Sequence, residues 1–270
     1  MEPILLLGLI LVGLIAGVLG TLFGLGGGII IIPCLTIIYG FGATEAAAVS
    51  LIGIIAISSG GTAFYLRNGI ANVRLGLFLE VGTTIGAAAG ALVAAYLDDW
   101  FLMLLFAAVM VFSALRMFSS AGGTDGRNPD GKHSYHDFKE GTDVRYDIEH
   151  PKGGFAACVA AGAVSSMTGV GGGVIKMPVM NLGMKVPIKA AAGTSSYMIG
   201  ITAFAGSVVY FLAGAVPYVA AAFVVLGAVI GAFVGTRVSK LMDFASMKRY
   251  FSVLLLFVAA SMVLKVVGVL

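Results

Sequence analysis

Apolar residues run along this chain in blocks, without the alternation of a half-buried strand or the single stripe of a surface helix. In the first half the blocks fall at about 4–22, 29–39, 43–65, 75–96 and 100–118. In the second they fall at about 154–168, 174–183, 190–213, 217–236 and 250–268. The longer blocks reach the roughly 18 residues or more that a helix needs to cross a bilayer core of about 30 Å. The second block of each set is too short for an ordinary span. Each short block follows a glycine run, Gly24, Gly26, Gly27 and Gly28 in the first half and Gly169, Gly171, Gly172 and Gly173 in the second. Glycine-rich backbone inside apolar chain marks peptide groups that face something other than lipid. The pattern predicts an all-α integral membrane protein with re-entrant or broken helices at the glycine runs.

A shift of 145 residues superposes the halves without a gap over a long stretch. The glycine runs coincide, and Pro33 falls on Pro178, Ser50 on Ser195, Gly61 on Gly206, Tyr65 on Tyr210 and Asp98 on Asp243. Gly82, Gly86 and Gly90 fall on Gly227, Gly231 and Gly235, a GxxxGxxxG ridge in each half that lets helix backbones approach closely. So many matches at one offset indicate an internal duplication. The domains are then 1–118, a first transmembrane repeat; 119–153, a polar linker; and 154–270, a second repeat.

Basic residues orient the spans. Arg67 and Arg74 bracket one loop, Asp98 and Asp99 mark the next, and the polar stretch 119–153 is again basic. In the second half the basic loops carry Lys185 and Lys189, then Arg237, Lys240, Lys248 and Arg249. The bias alternates oppositely in the two halves, so only inverted repeats satisfy the positive-inside rule at every loop. That places the linker in the cytoplasm and both termini outside, in a multi-pass protein of the cell membrane. Inversion needs an odd number of crossings per half, met either by five spans or by a re-entrant hairpin plus three.

Composition agrees. The 270 residues are 59% hydrophobic and 11% charged, with a mean hydropathy of +1.04, against roughly 25% charged in soluble domains. No basic cluster with interleaved aromatics suggests nucleic acid, and the first apolar block lacks the positive n-region and cleavage site of a signal peptide. Cys34 and Cys158 have neither CxxC spacing nor a nearby His, and are expected to be small buried hydrophobes. Within 119–153, Val144, Tyr146 and Ile148 alternate with charges and Glu140-Gly141 suits a turn, so a small β-hairpin fits. His133, His136, Asp137 and His150 match no common metal spacing, and a solvated linker is the plainer reading. HExxH, GxSxG and the GK[ST] ending of a phosphate loop are missing, so neither an enzyme nor a cofactor is expected.

The candidate site is assembled around the glycine turns. Gly26, Gly27 and Gly28, and Gly171, Gly172 and Gly173, each open a helix whose first amides lack an intrahelical acceptor. Two such ends, each with about half a positive charge, suit a small anion; the alternative is that the glycines only permit tight packing. Lys176 stands where the first half has Ile31. A cation deep in the membrane costs about 2.5–3.5 kcal/mol or more, so it has a purpose or a partner: the anion, an interface, or Glu45 or Glu80. Ser50, Thr194, Ser195 and Ser196 are candidate donors to anion oxygens, against back-bonding to helix carbonyls. Tyr65 and Tyr210 are expected to pack. Glu80 is the one acid well inside a long span and a candidate for a coupling proton, unless it pairs with Arg67 or Arg74.

GLGGGIIIIPCL at 24–35, GVGGGVIKMPVM at 169–180 and AAAGTSS at 190–196 resemble the TauE/SafE family of sulfite exporters. The resemblance covers almost the whole chain outside 119–153. It implies export of sulfite, sulfoacetate or a related sulfur-containing anion across a prokaryotic cell membrane. At Ala48-Val49-Ser50 the first half lacks the threonine that precedes the serine in the family pattern, which makes two unequal sites. The expected partners are a small oxyanion and the lipid bilayer, and a homo-oligomer is compatible with both. Rival functions are a passive anion channel and a membrane scaffold with no transport activity.

Overall fold

The computed structural model describes residues 3–119, 126–137, 141–239 and 244–268. Its first half runs α1 (Pro3–Phe23), α2 (Gly28–Pro33), α3 (Ala43–Arg67), α4 (Val73–Ala94) and α5 (Asp99–Ser119). Strands β1 (His133–Asp137) and β2 (Thr142–Tyr146) follow. The second half repeats the helices as α6 (Pro151–Thr168), α7 (Gly173–Pro178), α8 (Ile188–Leu212), α9 (Tyr218–Ser239) and α10 (Phe244–Val266). Five of them, α1, α3, α4, α8 and α9, are long and apolar enough to cross a membrane. Leu77, Val81, Ile85 and Leu92 form an exposed stripe on α4, while Gly82, Gly86 and Gly90 lie buried on its other side. Large side chains thus face outward, where lipid would solvate them, and the small ones face protein.

The short second block of each half is a helix that folds back along the first. Pro33 and Pro178 lack the N–H that would continue an α-ladder, and the chain widens there into π turns over Cys34–Ile38 and Val179–Gly183. The Tyr39 amide accordingly bonds five residues back to Cys34 O, and Met184 to Val179 O. Tyr39 Oη then donates to the Leu5 carbonyl at 3.0 Å, which brings the end of the returning limb level with the start of α1. In the second half the Glu149 amide, just before α6, donates to Met184 O at 3.1 Å. The first two blocks of each half thus form a helical hairpin.

Packing repeats with the sequence. α1 lies on α9 and α6 on α4; α3 lies on α9 and α8 on α4; and the mates α3 and α8, and α5 and α10, pack on each other. The glycine ridges make the closest approaches: Gly86 and Gly90 face the backbone of Val159 and Ala163 on α6, and Gly227 and Gly231 that of Ile10 and Leu14 on α1. α3 and α8 run antiparallel, with Gly61 facing Ser196, Ser58 facing Gly200 and Leu51 facing Gly206. Their crossing falls near Ile54 and Ile199, roughly halfway along each 25-residue helix.

The chain is not all-α. β1 and β2 pair antiparallel, Tyr135 opposite Val144 and His133 opposite Tyr146. The inward residues Tyr135, Val144 and Tyr146 pack with Met180, Met184 and Val186 at the mouth of the second hairpin. Lys189 Nζ holds the buried Asp137 at 2.5 Å, and Asn72 donates to Tyr146 Oη at 3.0 Å. Alternation at period two placed an apolar face on a strand pair, and burying that face docks β1 and β2 on the helices, so this part is more than a solvated linker. Glu140 of the expected turn, and Lys240, lie outside the described residues.

Candidate functional site

Each glycine turn needs its glycines for two separate reasons. Gly26 and Gly27, and their mates Gly171 and Gly172, have φ between 75 and 88°, a left-handed conformation that only glycine adopts freely. The third position of each run serves close approach. A methyl on Gly173 would lie 2.8 Å from Gly24 O, and one on Gly28 would lie 2.7 Å from Ser50 Oγ and still closer to Gly169 O. The two turns therefore abut. Ile54 and Ile199, themselves mates, both flank Gly26 and both flank Gly171, which puts the contact at the α3–α8 crossing. The Ile30 and Ile31 amides bond back to Gly27 O, and Ile175 and Lys176 to Gly172 O; the amides before them are the ones a helix start leaves without an intrahelical acceptor.

Hydroxyls ring this junction. Ser50 Oγ donates to Gly169 O at 2.7 Å and ties the first repeat to the turn of the second. Ser50→Ala is expected to lower stability by about 1 kcal/mol, read as a fall in unfolding temperature of the purified protein. Its mate Ser195 has no partner, and neither have Thr21, Ser165, Ser166 and Ser196, all buried. These are all the buried side-chain polar atoms left unpaired among the described residues. Thr21 and Ser166 occupy equivalent places, three residues before Gly24 and Gly169. Thr21, Ser58 and Ser196 line a cavity with Gly24, Gly26 and Ile199. Its free volume suits about one water. Thr194 stands apart: its hydroxyl accepts from the Asn72 amide at 2.9 Å, away from the turns.

Lys176 is wholly buried and Glu80 is 4% exposed. Their charged atoms lie 3.4 Å apart, and Thr202 Oγ1 bridges them at 2.5 Å from Lys176 Nζ and 2.7 Å from Glu80 Oε1. Thr84 adds a donor to Glu80 at 3.3 Å, and Thr83 lies 3.4 Å from Thr202. Of the partners open to Lys176, Glu80 is the one it meets; the Glu45 carboxylate instead accepts from the Gly42 amide at the start of α3. The cluster adjoins the second turn, since a methyl on Gly172 would lie 3.0 Å from Ser165 Oγ and 3.3 Å from Lys176 Cε. Thr202 was not singled out by sequence reasoning, although its mate Ile57 gave the signal, a hydroxyl where the other half has hydrocarbon.

The histidines of the linker have other roles. His136 pairs with Asp143 at 2.8 Å, His133 Nδ1 lies 3.3 Å from Asn72, and Asp137 is held by Lys189. Among the described residues no three His, Cys, Asp or Glu gather closely enough to hold a metal ion.

Comparison with known proteins gives this arrangement a setting. Residues 9–262 match the family described as "Sulfite exporter TauE/SafE". The "Probable membrane transporter protein YunE" of Bacillus subtilis is 27% identical over 263 residues, covering 94% of this chain and 96% of that protein. A probable membrane transporter protein of Methanocaldococcus jannaschii is 29% identical over 220 residues, 78% of this chain and 74% of its own. YdhB of Bacillus subtilis, another probable membrane transporter protein, is 24% identical over 239 residues, 87% of this chain and 90% of its own. No solved structure matches the chain. A match over nearly the full length makes this chain a membrane transporter, not an enzyme, and a member of the TauE/SafE sulfite exporter family.

Proposed function

We propose that the protein exports a small sulfur-containing oxyanion, sulfite or an organosulfonate such as sulfoacetate, by alternating access between two inverted repeats. The observation that carries this reading is that three unpaired buried hydroxyls, Thr21, Ser165 and Ser196, adjoin two abutting glycine turns. A buried hydroxyl without a partner costs about 1–3 kcal/mol, and several at one place point to a ligand that satisfies them in another state. Hydroxyls and helix-start amides are donors, so the ligand they suit is rich in acceptor oxygens. The antiparallel run of α3 and α8 supports inversion, because mates related by an axis along the membrane normal would run parallel. With the linker cytoplasmic, as its basic residues favour, each hairpin enters from its own side, and the tips meet near the bilayer centre.

The test is ligand stabilisation. Sulfite at ten times its dissociation constant should raise the stability of the purified protein by roughly 1.4 kcal/mol, seen as a higher unfolding temperature. Ser196→Ala and Thr21→Val should reduce that rise while leaving the unliganded protein as stable as before, or more so. A scaffold protein would show no rise with sulfite, sulfoacetate or sulfate. A passive channel would show the rise, but trans sulfite would not accelerate uptake of radiolabelled sulfite into proteoliposomes.

A further inference from the structure

The Lys176–Glu80–Thr202 cluster, where α7 and α8 of the second repeat meet α4 of the first, has no counterpart at the repeat-related corner. At the equivalent places, 145 residues away, stand Ile31, Val225 and Ile57, and the mate of Thr83 is Ala228. Ile31, Ile57 and Ala228 are buried in the core, so the same fold packs this corner with hydrocarbon. A buried ion pair is seldom worth more than the apolar residues that could replace it, and the repeat-related corner is an internal control: the architecture does not need these charges. They adjoin the proposed anion site, with Ser165 and Lys176 both flanking Gly172. An ammonium has three N–H donors, and here two meet Thr202 and Glu80. The remaining donor, with the unpaired Ser165 hydroxyl, is available to an oxyanion.

Charge balance then constrains what can bind. As it stands the pair is neutral. An anion that takes the Lys176 charge leaves the Glu80 carboxylate as an uncompensated negative charge in low dielectric, unless Glu80 takes up a proton. The other titratable groups within electrostatic reach are Cys158 on α6 and Tyr197 on α8, and neither carries a positive charge that could replace the proton. We propose that Lys176 binds the transported anion and that Glu80 binds one proton with it, so that anion and proton cross together. Thr202 holds the carboxylate and the ammonium in register before the anion arrives. The proposal rests on the transport function assigned to the junction. Net flux then follows the product of the anion and proton gradients, and export proceeds when the outward anion gradient exceeds the inward proton gradient.

The experiment is net sulfite uptake, down its gradient, into sulfite-free proteoliposomes of the full chain with a pH dye in the lumen, comparing wild type with Glu80→Gln. Sulfite itself exchanges protons, but equally in both samples, so the difference isolates Glu80. The expected result is that Glu80→Gln still takes up sulfite but brings in about one proton fewer per anion. An equal proton count in the two overturns the coupling and leaves the transport function standing. Absence of sulfite uptake by the wild type overturns both. Where Glu80→Gln does not fold, Glu80→Gln/Lys176→Gln, which leaves no charge in the corner, is the second variant. It is expected to fold and to carry no sulfite, and sulfite uptake by it would overturn the role of Lys176.

Discussion

Glu80→Val alone should destabilise the protein by about 3–5 kcal/mol, and adding Lys176→Ile should recover most of the loss. The single change leaves the Lys176 ammonium fully enclosed, with the Thr202 hydroxyl as its remaining hydrogen-bond partner among the described residues. A hydroxyl offers lone pairs but no charge, so most of the desolvation cost of the cation stays uncompensated. The double change installs the residues that already occupy the repeat-related corner, Val225 and Ile31. Thr202 then loses its strong partners but keeps the Met198 carbonyl, 3.1 Å away, as an acceptor. Thermal unfolding in detergent, followed by loss of the monodisperse peak, reads both. A single variant as stable as the double would mean that water reaches Lys176, contrary to its complete burial. The double variant should have a near-normal unfolding temperature and no sulfite transport, which separates what the pair does for the fold from what it does for the ligand.

Much of this arrangement could be read from the chain because lipid restricts the choices. Apolar blocks of spanning length leave little but helices, and the repeat offset told which elements are equivalent. The glycine turns were legible because a positive φ and a sub-methyl gap both demand glycine, so the constraint is written directly in residue type. The path of the short second block was not. Composition and parity do not fix how that block returns, and what brings its end beside the start of α1 is a tertiary hydrogen bond from Tyr39 to Leu5 across 34 residues. The partner of Lys176 was legible only as a choice among acids, since the pairing depends on how α4 lies against α7 and α8. Thr194 was grouped with Ser195 and Ser196 by adjacency, yet successive residues on a helix point about 100° apart, and Thr194 faces the α3–α4 loop. The docked strand pair shows the same limit: period two identified the strands, but not the hairpin mouth that covers them.

Gly86→Ala and Gly227→Ala, one methyl each, should cost about 1–3 kcal/mol or more and take transport with them. The added carbon on Gly227 would lie 2.8 Å from both Ile10 C and Leu14 N, and that on Gly86 would lie 2.9 Å from Val159 C and 3.0 Å from Ala163 N. These are backbone atoms, so no rotamer change relieves the overlap and two helices must part along their length. Between helices in lipid the loss is felt fully, because close van der Waals contact, not expulsion of water, holds them together. The effect should be graded along the ridge. Gly82→Ala meets chiefly the Phe155 ring at 3.1–3.2 Å, which can tilt, and Gly183→Ala meets nothing within 4 Å, so the first should be mild and the second near neutral. Equal unfolding temperatures for Gly86→Ala and Gly183→Ala would mean that the α4–α6 seam is not this close. Transport suffers because α1 and α6 carry the glycine turns at their C-terminal ends, while each is seated on the ridge of the opposite repeat. A displaced α6 pulls Gly169 and Gly171 away from Gly28 and Ile54, and a displaced α1 does the same to Gly24 and Gly26. Under the alternating-access reading proposed above, both ridge seams would stay closed and the surfaces that slide would be those along α3 and α8.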